Sequence, residues 1–197
     1  MLTKNEKKVL RMLLASFGET HSINQIAKEC SLAPNGALKL LRKFEKEGIL
    51  SPKKIANIKS YSINFASEKA KNVLELALIP ELSGRVKFRY EDLKPLKEIT
   101  ASCILFGSYA DLKKEPNDLD ILFVLDSKDF KRYKEKSSQI YKTLPVKVHD
   151  ILQTEEDFKE NLESRDKVVV EILKTGVILW GTKKIIELTE NGYKKQA

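Results

Sequence analysis

Apolar positions in the first third of the chain recur at helical spacing, then alternate. Leu10, Leu13, Leu14 and Phe17 form one stripe, which predicts a helix over residues 4–17 that ends at Gly18. Ile23, Ile26, Ala27 and Cys30 predict a second helix over about 22–30, with Ser22 as its N-cap. A third is predicted over Pro34–Glu47, with Ala37, Leu40, Leu41 and Phe44 inward, proline in the first turn and Gly48 as the stop. Ile49 and Leu50 open a strand, Ala56-Asn57 marks a turn, and Tyr61, Ile63 and Phe65 alternate with Ser60, Ser62 and Asn64 as a second strand. Ala70, Val73, Leu74, Ala77 and Leu78 predict a helix over 67–79, capped by Ser67 and ended by Pro80. Its single stripe needs cover, either by docking within the chain or by pairing with a second copy as a homodimer. The charged run RVKFRYED after Gly84 reads as a break, and Glu91–Glu98 as a short helix.

Beyond this point short apolar strands dominate. Cys103–Phe106 is one strand, followed at once by Gly107-Ser108 and a helix start at Tyr109. Leu119–Leu125 is a second, with Asp118 and Asp120 at its start, and VKVHDIL (146–152) is a third. Strand side chains alternate, so Asp118 and Asp120 point to one side, while Val146, Val148 and Asp150 share a face of their strand. Two adjacent carboxylates repel unless a cation lies between them, and a divalent ion such as Mg²⁺ fills that role. A Gly-Ser turn between strand and helix offers backbone N–H groups and a hydroxyl to a phosphate. Asp150, the one acid of its strand, is the candidate third carboxylate, since three acids around two metals steady the attacking and leaving oxygens of phosphoryl or nucleotidyl transfer. His149 falls on the opposite face of that strand and reads as a solvent-facing or satisfied polar group. Trp180 reads as core or rim packing, and KDFKRYKEK (128–136) as a solvated helix face.

Charge adds a division. The 197 residues carry a formal net charge of +8, yet residues 1–66 hold 12 Lys+Arg against 5 Asp+Glu. The excess therefore sits almost wholly in the first third, as expected of a module that faces a polyanion. The chain thus reads as three parts: 1–66, a connector over 67–89, and 90–197. No apolar run approaches a membrane span, and the start MLTKNEKKVL runs straight into a charged helical pattern, which predicts no signal peptide and a cytosolic protein. Cys30 and Cys103 sit far apart in apolar contexts, and neither they nor the histidines His21 and His149 show metal-ligand spacing.

The stretch SINQIAKECSLAPNGALKLLRKFEKEGIL followed by a hairpin resembles the winged helix-turn-helix family. The resemblance implies that the third helix enters the DNA major groove and that the hairpin wing touches backbone. On this sequence the implied DNA-contacting residues are Asn35, Lys39, Arg42 and Lys43 on the helix, and Lys53, Lys54 and Lys59 on the wing. The lysines and arginine suit phosphates, and Asn35 suits a base edge.

The Gly107-Ser108 turn, the Asp118-x-Asp120 pair and a later strand aspartate, with apolar strands on both sides, resemble the DNA polymerase β-type nucleotidyltransferase superfamily in its minimal, mainly prokaryotic branch. That resemblance covers roughly 90–185. It implies a mixed β-sheet with flanking helices, so the whole is an α+β protein. It also implies Asp118, Asp120 and Asp150 as metal ligands and catalytic acids, Gly107 and Ser108 on the triphosphate, and Mg²⁺ or Mn²⁺ as cofactor. The implied reaction moves a nucleoside monophosphate from a nucleoside triphosphate to a hydroxyl. A small helical partner protein, in some members paired with the transferase as a toxin–antitoxin system, is part of what that branch implies. Asp111 and Leu112 depart from it, standing where a basic residue and a glycine usually follow Gly-Ser-Tyr-Ala. They support an alternative, a DNA-binding transcriptional regulator with a degenerate, non-catalytic transferase domain.

Overall fold

A computed structural model describes residues 1–16, 21–55, 58–111 and 116–196, the side chains of 55, 58 and 193–196 excepted. Phe17, Gly18, the Ala56-Asn57 turn and Leu112 fall outside the described residues. The chain forms two compact units, residues 1–78 with 189–197, and residues 79–188.

The first unit opens with helix α1 (Lys4–Ala15), held at its start by a capping box in which Thr3 and Glu6 satisfy each other's backbone N–H. Strand β1 (His21–Ser22) leads into α2 (Ile23–Glu29), which Ser22 and Gln25 cap in the same reciprocal way. α3 (Pro34–Lys46) follows, with Ala37, Leu41 and Phe44 buried and Leu40 half-buried. β2 (Leu50–Ile55) and β3 (Ile58–Ile63) pair antiparallel, and β1 adds to the far side of β3, giving the order β1-β3-β2. Two residues are too few to announce a strand by alternation, which is why β1 escapes the sequence pattern. α4 (Glu68–Leu78) buries Ala70, Leu74, Ala77 and Leu78 within this unit, where it packs on α1.

The second unit begins with α5 (Gly84–Leu93), not with the break expected there. Val86, Arg89, Tyr90 and Leu93 are spaced i, i+3, i+4, i+7 and turn one face inward, and the charged residues between them mask that spacing. After a 3-10 turn over Lys94–Glu98 comes β4 (Ser102–Phe106), a single helical turn α6 (Gly107–Ala110) and β5 (Asp118–Val124). α7 (Phe130–Tyr141) precedes β6 (Lys147–Gln153); α8 (Glu155–Glu163) and α9 (Lys167–Thr175) precede β7 (Val177–Trp180) and α10 (Thr182–Gln196). The sheet order is β6-β5-β4-β7, with β5 and β6 parallel and the other pairs antiparallel. This mixed sheet with helices makes an α+β unit. Alternate β5 residues Leu119, Ile121 and Phe123 enter one core with Cys103, Leu105, Tyr133 and Trp180. Trp180 is buried there and donates its indole N–H to Thr100 Oγ1 at 3.1 Å. α7 is not simply a solvated face, because Tyr133 is fully buried against Phe123, ring centroids 5.1 Å apart.

No helix among the described residues is long and apolar enough to cross a membrane.

Candidate metal centre and surface cations

Register decides the site. β5 pairs Asp118 with Lys147, Asp120 with His149 and Ile121 with Asp150. Paired residues of a parallel ladder project to the same side, so His149 joins Asp118 and Asp120, and Asp150 goes to the other face. Asp150 is therefore not the third acid of the cluster. Parity along its own strand was read correctly, but parity does not say which face of β6 meets which face of β5, and the ladder assigns them the other way. His149, set aside as a solvent-facing group, takes the place expected of Asp150.

His149 Nδ1 lies 3.5 Å from Asp118 Oδ2 and 3.5 Å from Asp120 Oδ1. One donor atom from each of the three residues lies within 4.8 Å of the others. All three side chains reach solvent, Asp120 least, at 24 % exposure. Two carboxylate oxygens and an imidazole nitrogen form a donor set that fits a divalent cation.

Asp150, exposed on the other face, instead accepts from two tyrosines. Tyr133 donates to Asp150 Oδ2 at 2.7 Å, and the Tyr141 hydroxyl lies 2.5 Å from that of Tyr133. Tyr141 also reaches the same Asp150 oxygen, at 3.4 Å. Burial first pushes both phenols above the ordinary tyrosine range, helped at Tyr133 by Tyr141 and then Asp150, and at Tyr141 by the Asp150 charge, so both remain neutral.

Gly107 sits where β4 ends beside Asp120, and its φ of +63° is left-handed. A Cβ built there would strike the Asp120 carboxylate, so this position needs glycine for both backbone and space. Arg85 of α5 holds the following turn from outside. It donates to the Ser108 carbonyl at 3.4 Å and the Asp111 carbonyl at 2.5 Å, and stacks 5.2 Å over the Tyr109 ring. No sequence signal marked Arg85, because it lay in the run read as a break.

In the first unit, the residues expected to face DNA divide into two sets. Lys39 and Arg42 on α3 and Lys53 and Lys54 on β2 are exposed, as is Asn35 in the first turn of α3. Asn35 lines a groove of about 500 Å³ with Asn24, Leu38 and Lys59. The other two cations are engaged. Lys43 meets Glu6 at 2.6 Å, and Lys59 meets Glu45 at 2.8 Å while lying over the Tyr61 ring. Intramolecular carboxylates therefore offset part of the positive charge that the sequence count assigns to a polyanion.

The Glu6–Lys43 pair also makes a pH prediction. Burial would raise the Glu6 carboxyl, but hydrogen bonds from Lys43 and Thr3 outweigh it and hold the group below the ordinary glutamate value. A depressed folded value means the contribution is complete above the unfolded value and fades as pH falls through the folded one. Glu6→Gln is expected to cost about 1–2 kcal/mol near neutrality. In denaturant melts the gap to the parent should close below about pH 4; a gap that stays constant with pH would assign the loss to packing.

Residues 92–185 match the model of a family described as Polymerase beta, Nucleotidyltransferase. That stretch contains the cluster, the Gly107-Ser108 turn and the whole mixed sheet, and it supports nucleotidyl transfer at the level of the superfamily. No curated protein and no solved structure matches the chain.

Proposed function

We propose that the second unit transfers a nucleoside monophosphate from a nucleoside triphosphate to a hydroxyl acceptor, and that the first unit binds nucleic acid as a winged helix. The observation that carries the first half is the convergence of Asp118, Asp120 and His149 beside the Gly107 turn, inside the stretch that matches the nucleotidyltransferase family. A divalent cation bound by these side chains would neutralise triphosphate oxygens and favour departure of pyrophosphate. Gly107 lets the Asp120 carboxylate pack against the turn, and Ser108 would offer a hydroxyl donor to phosphate oxygens. Arg85 fixes the turn that carries them. Its bonds go to the Ser108 and Asp111 carbonyls.

The test is thermal. Nucleoside triphosphate with a divalent metal, each at about 100 times its Kd, should stabilise the folded chain by about 2.7 kcal/mol. Neither metal nor triphosphate alone should match that. If no triphosphate shifts the melting temperature with any divalent metal, the transferase reading fails.

A second reading has its own observation. The third acid is absent from the cluster, and Asp111 brings a negative charge to the turn, so a regulator with a degenerate, non-catalytic domain would show triphosphate binding without transfer. A labelled-triphosphate transfer assay run beside the melt separates the two.

For the first unit, the order of elements α1-β1-α2-α3-β2-β3 and the exposed cations on α3 and β2 support the winged-helix reading. The N-cap of α3, Ala33, brings no side-chain hydrogen bond, so its first-turn amides are available to a phosphate. Duplex DNA binding by the full chain is expected to weaken steeply with salt. Alanine at each of Lys39, Arg42, Lys53 and Lys54 should remove about 0.9 from the log–log slope per phosphate lost. Lys43→Ala and Lys59→Ala should remove less, because Glu6 and Glu45 already neutralise those charges. A titration that is flat in salt would exclude phosphate contact.

A further inference from the structure

The cluster in the second unit differs chemically from the three-carboxylate site that its sequence suggested. One oxygen donor bearing a negative charge is replaced by a neutral-capable imidazole nitrogen, and the replacement is built in. His149 is paired with Asp120 in the β5–β6 ladder, so a strand rather than a loop carries it to the carboxylates. Its Nδ1 is equidistant, at 3.5 Å, from one oxygen of each. Adjacent donors about 2.1 Å from a tetrahedral metal lie about 3.4 Å apart. The protein thus already holds nitrogen and oxygen at the spacing of a shared ligand shell. Gly107 lets the Asp120 carboxylate close onto the backbone of the turn, where a Cβ would displace it, so the position of this ligand is built into the fold.

Magnesium is a poor match for that shell. It prefers oxygen donors and sheds water reluctantly, so it gains least from the imidazole nitrogen that stands where a third carboxylate oxygen was expected. First-row transition-metal dications gain from an imidazole ligand, Mn²⁺ the least of them, which makes Mn²⁺ the most demanding probe. From the donor set we infer that this site selects a first-row transition-metal dication, with Mn²⁺ and Co²⁺ as usable probes, over Mg²⁺, and that His149 Nδ1 is a ligand. The inference deepens the nucleotidyl-transfer reading and takes the location of the site from it.

The experiment uses the full, metal-stripped chain and the metals alone. Mn²⁺ binding is followed by loss of the free-ion paramagnetic resonance signal, Mg²⁺ is added as competitor, and pulsed resonance reports any nitrogen coupled to the bound ion. Mn²⁺ is expected to bind at least about tenfold more tightly than Mg²⁺, with a nitrogen coupling. His149→Ala should weaken Mn²⁺ by about 10- to 100-fold, change Mg²⁺ little, and abolish the coupling. His149→Asp should narrow the Mn²⁺ to Mg²⁺ ratio by raising Mg²⁺ affinity. His149 is half exposed, so both variants should fold, and His149→Gln, which keeps an amide of similar reach, serves if either does not. Bound Mn²⁺ without nitrogen coupling, or the same metal ratio in the parent and in His149→Asp, would overturn the inference. The transferase reading fails separately: nitrogen-coupled Mn²⁺ with no triphosphate bound sinks that reading and keeps the metal assignment. Triphosphate held equally well with Mg²⁺ in the parent and in His149→Ala keeps the reading and sinks the metal assignment.

Discussion

Asp118→Asn combined with Asp120→Asn is expected to lower metal-dependent nucleotidyl transfer by about 10³-fold or more, since several kcal/mol of charge stabilisation would go with the metal. The same variant should melt at the parent temperature or slightly above it. The two carboxylates are 38 % and 24 % exposed and project from the same side of one strand, so they repel each other in the metal-free protein. Asparagine keeps their shape and removes that repulsion. Triphosphate should no longer raise the melting temperature of the variant in the presence of metal, because the side chains that would hold both are neutral. A calorimetric scan alongside a labelled-triphosphate assay checks both halves. A fall of more than a few degrees in the scan would show that the pair serves the fold, and retained transfer would move the chemistry elsewhere.

The largest stability effect is expected at Phe123. Phe123→Ala should destabilise the second unit by about 3–5 kcal/mol. The ring is fully buried on β5, an interior strand. It packs edge-on to Tyr133, with Trp180 at a centroid distance of 6.2 Å. Truncation leaves a cavity bordered by two large aromatic groups that cannot collapse together, because Tyr133 is tied to Asp150 and Trp180 to Thr100. Denaturant unfolding followed by Trp180 fluorescence measures the loss. A loss under about 1 kcal/mol would mean that α7 closes over the gap, and the Tyr133–Asp150 bond would then not be a constraint.

How far the sequence could be read follows from the range of each signal. Helices α1 to α4 announced themselves through stripes of Leu, Ile and Ala, and their caps through Ser22 and Ser67. Strands β4 and β5 were legible as apolar runs. α5 was not, since Arg89 and Asp92 occupy a helix whose buried positions are few, and Arg89 is itself buried beside the Asp92 carboxylate at 2.9 Å. The Asp118–Asp120 pair was legible because both acids lie on one strand, two residues apart. The third member of the cluster was not, because a one-residue change in register between β5 and β6 exchanges His149 for Asp150. That register is set by which residues of β6 suit the core beside Leu119, Ile121 and Phe123, where Val148 and Leu152 pack. Likewise, the count of basic residues could not show that Glu6 and Glu45 had already claimed Lys43 and Lys59.

The first unit is discontinuous. Its chain departs at Leu78 and is rejoined by residues from Thr189 onward, with Lys71 meeting Glu190 at 3.0 Å. During synthesis, α1 to α4 leave the ribosome more than a hundred residues before Glu190, while a chain grows at about 5–20 residues per second. For several seconds, the first unit therefore waits for its last segment, with the Lys71 ammonium and the surface later covered by Thr189 and Glu190 open to solvent. The second unit must be made before the first can close. A protease that cuts the chain just before residue 189 would leave the second unit whole and the first without its last segment.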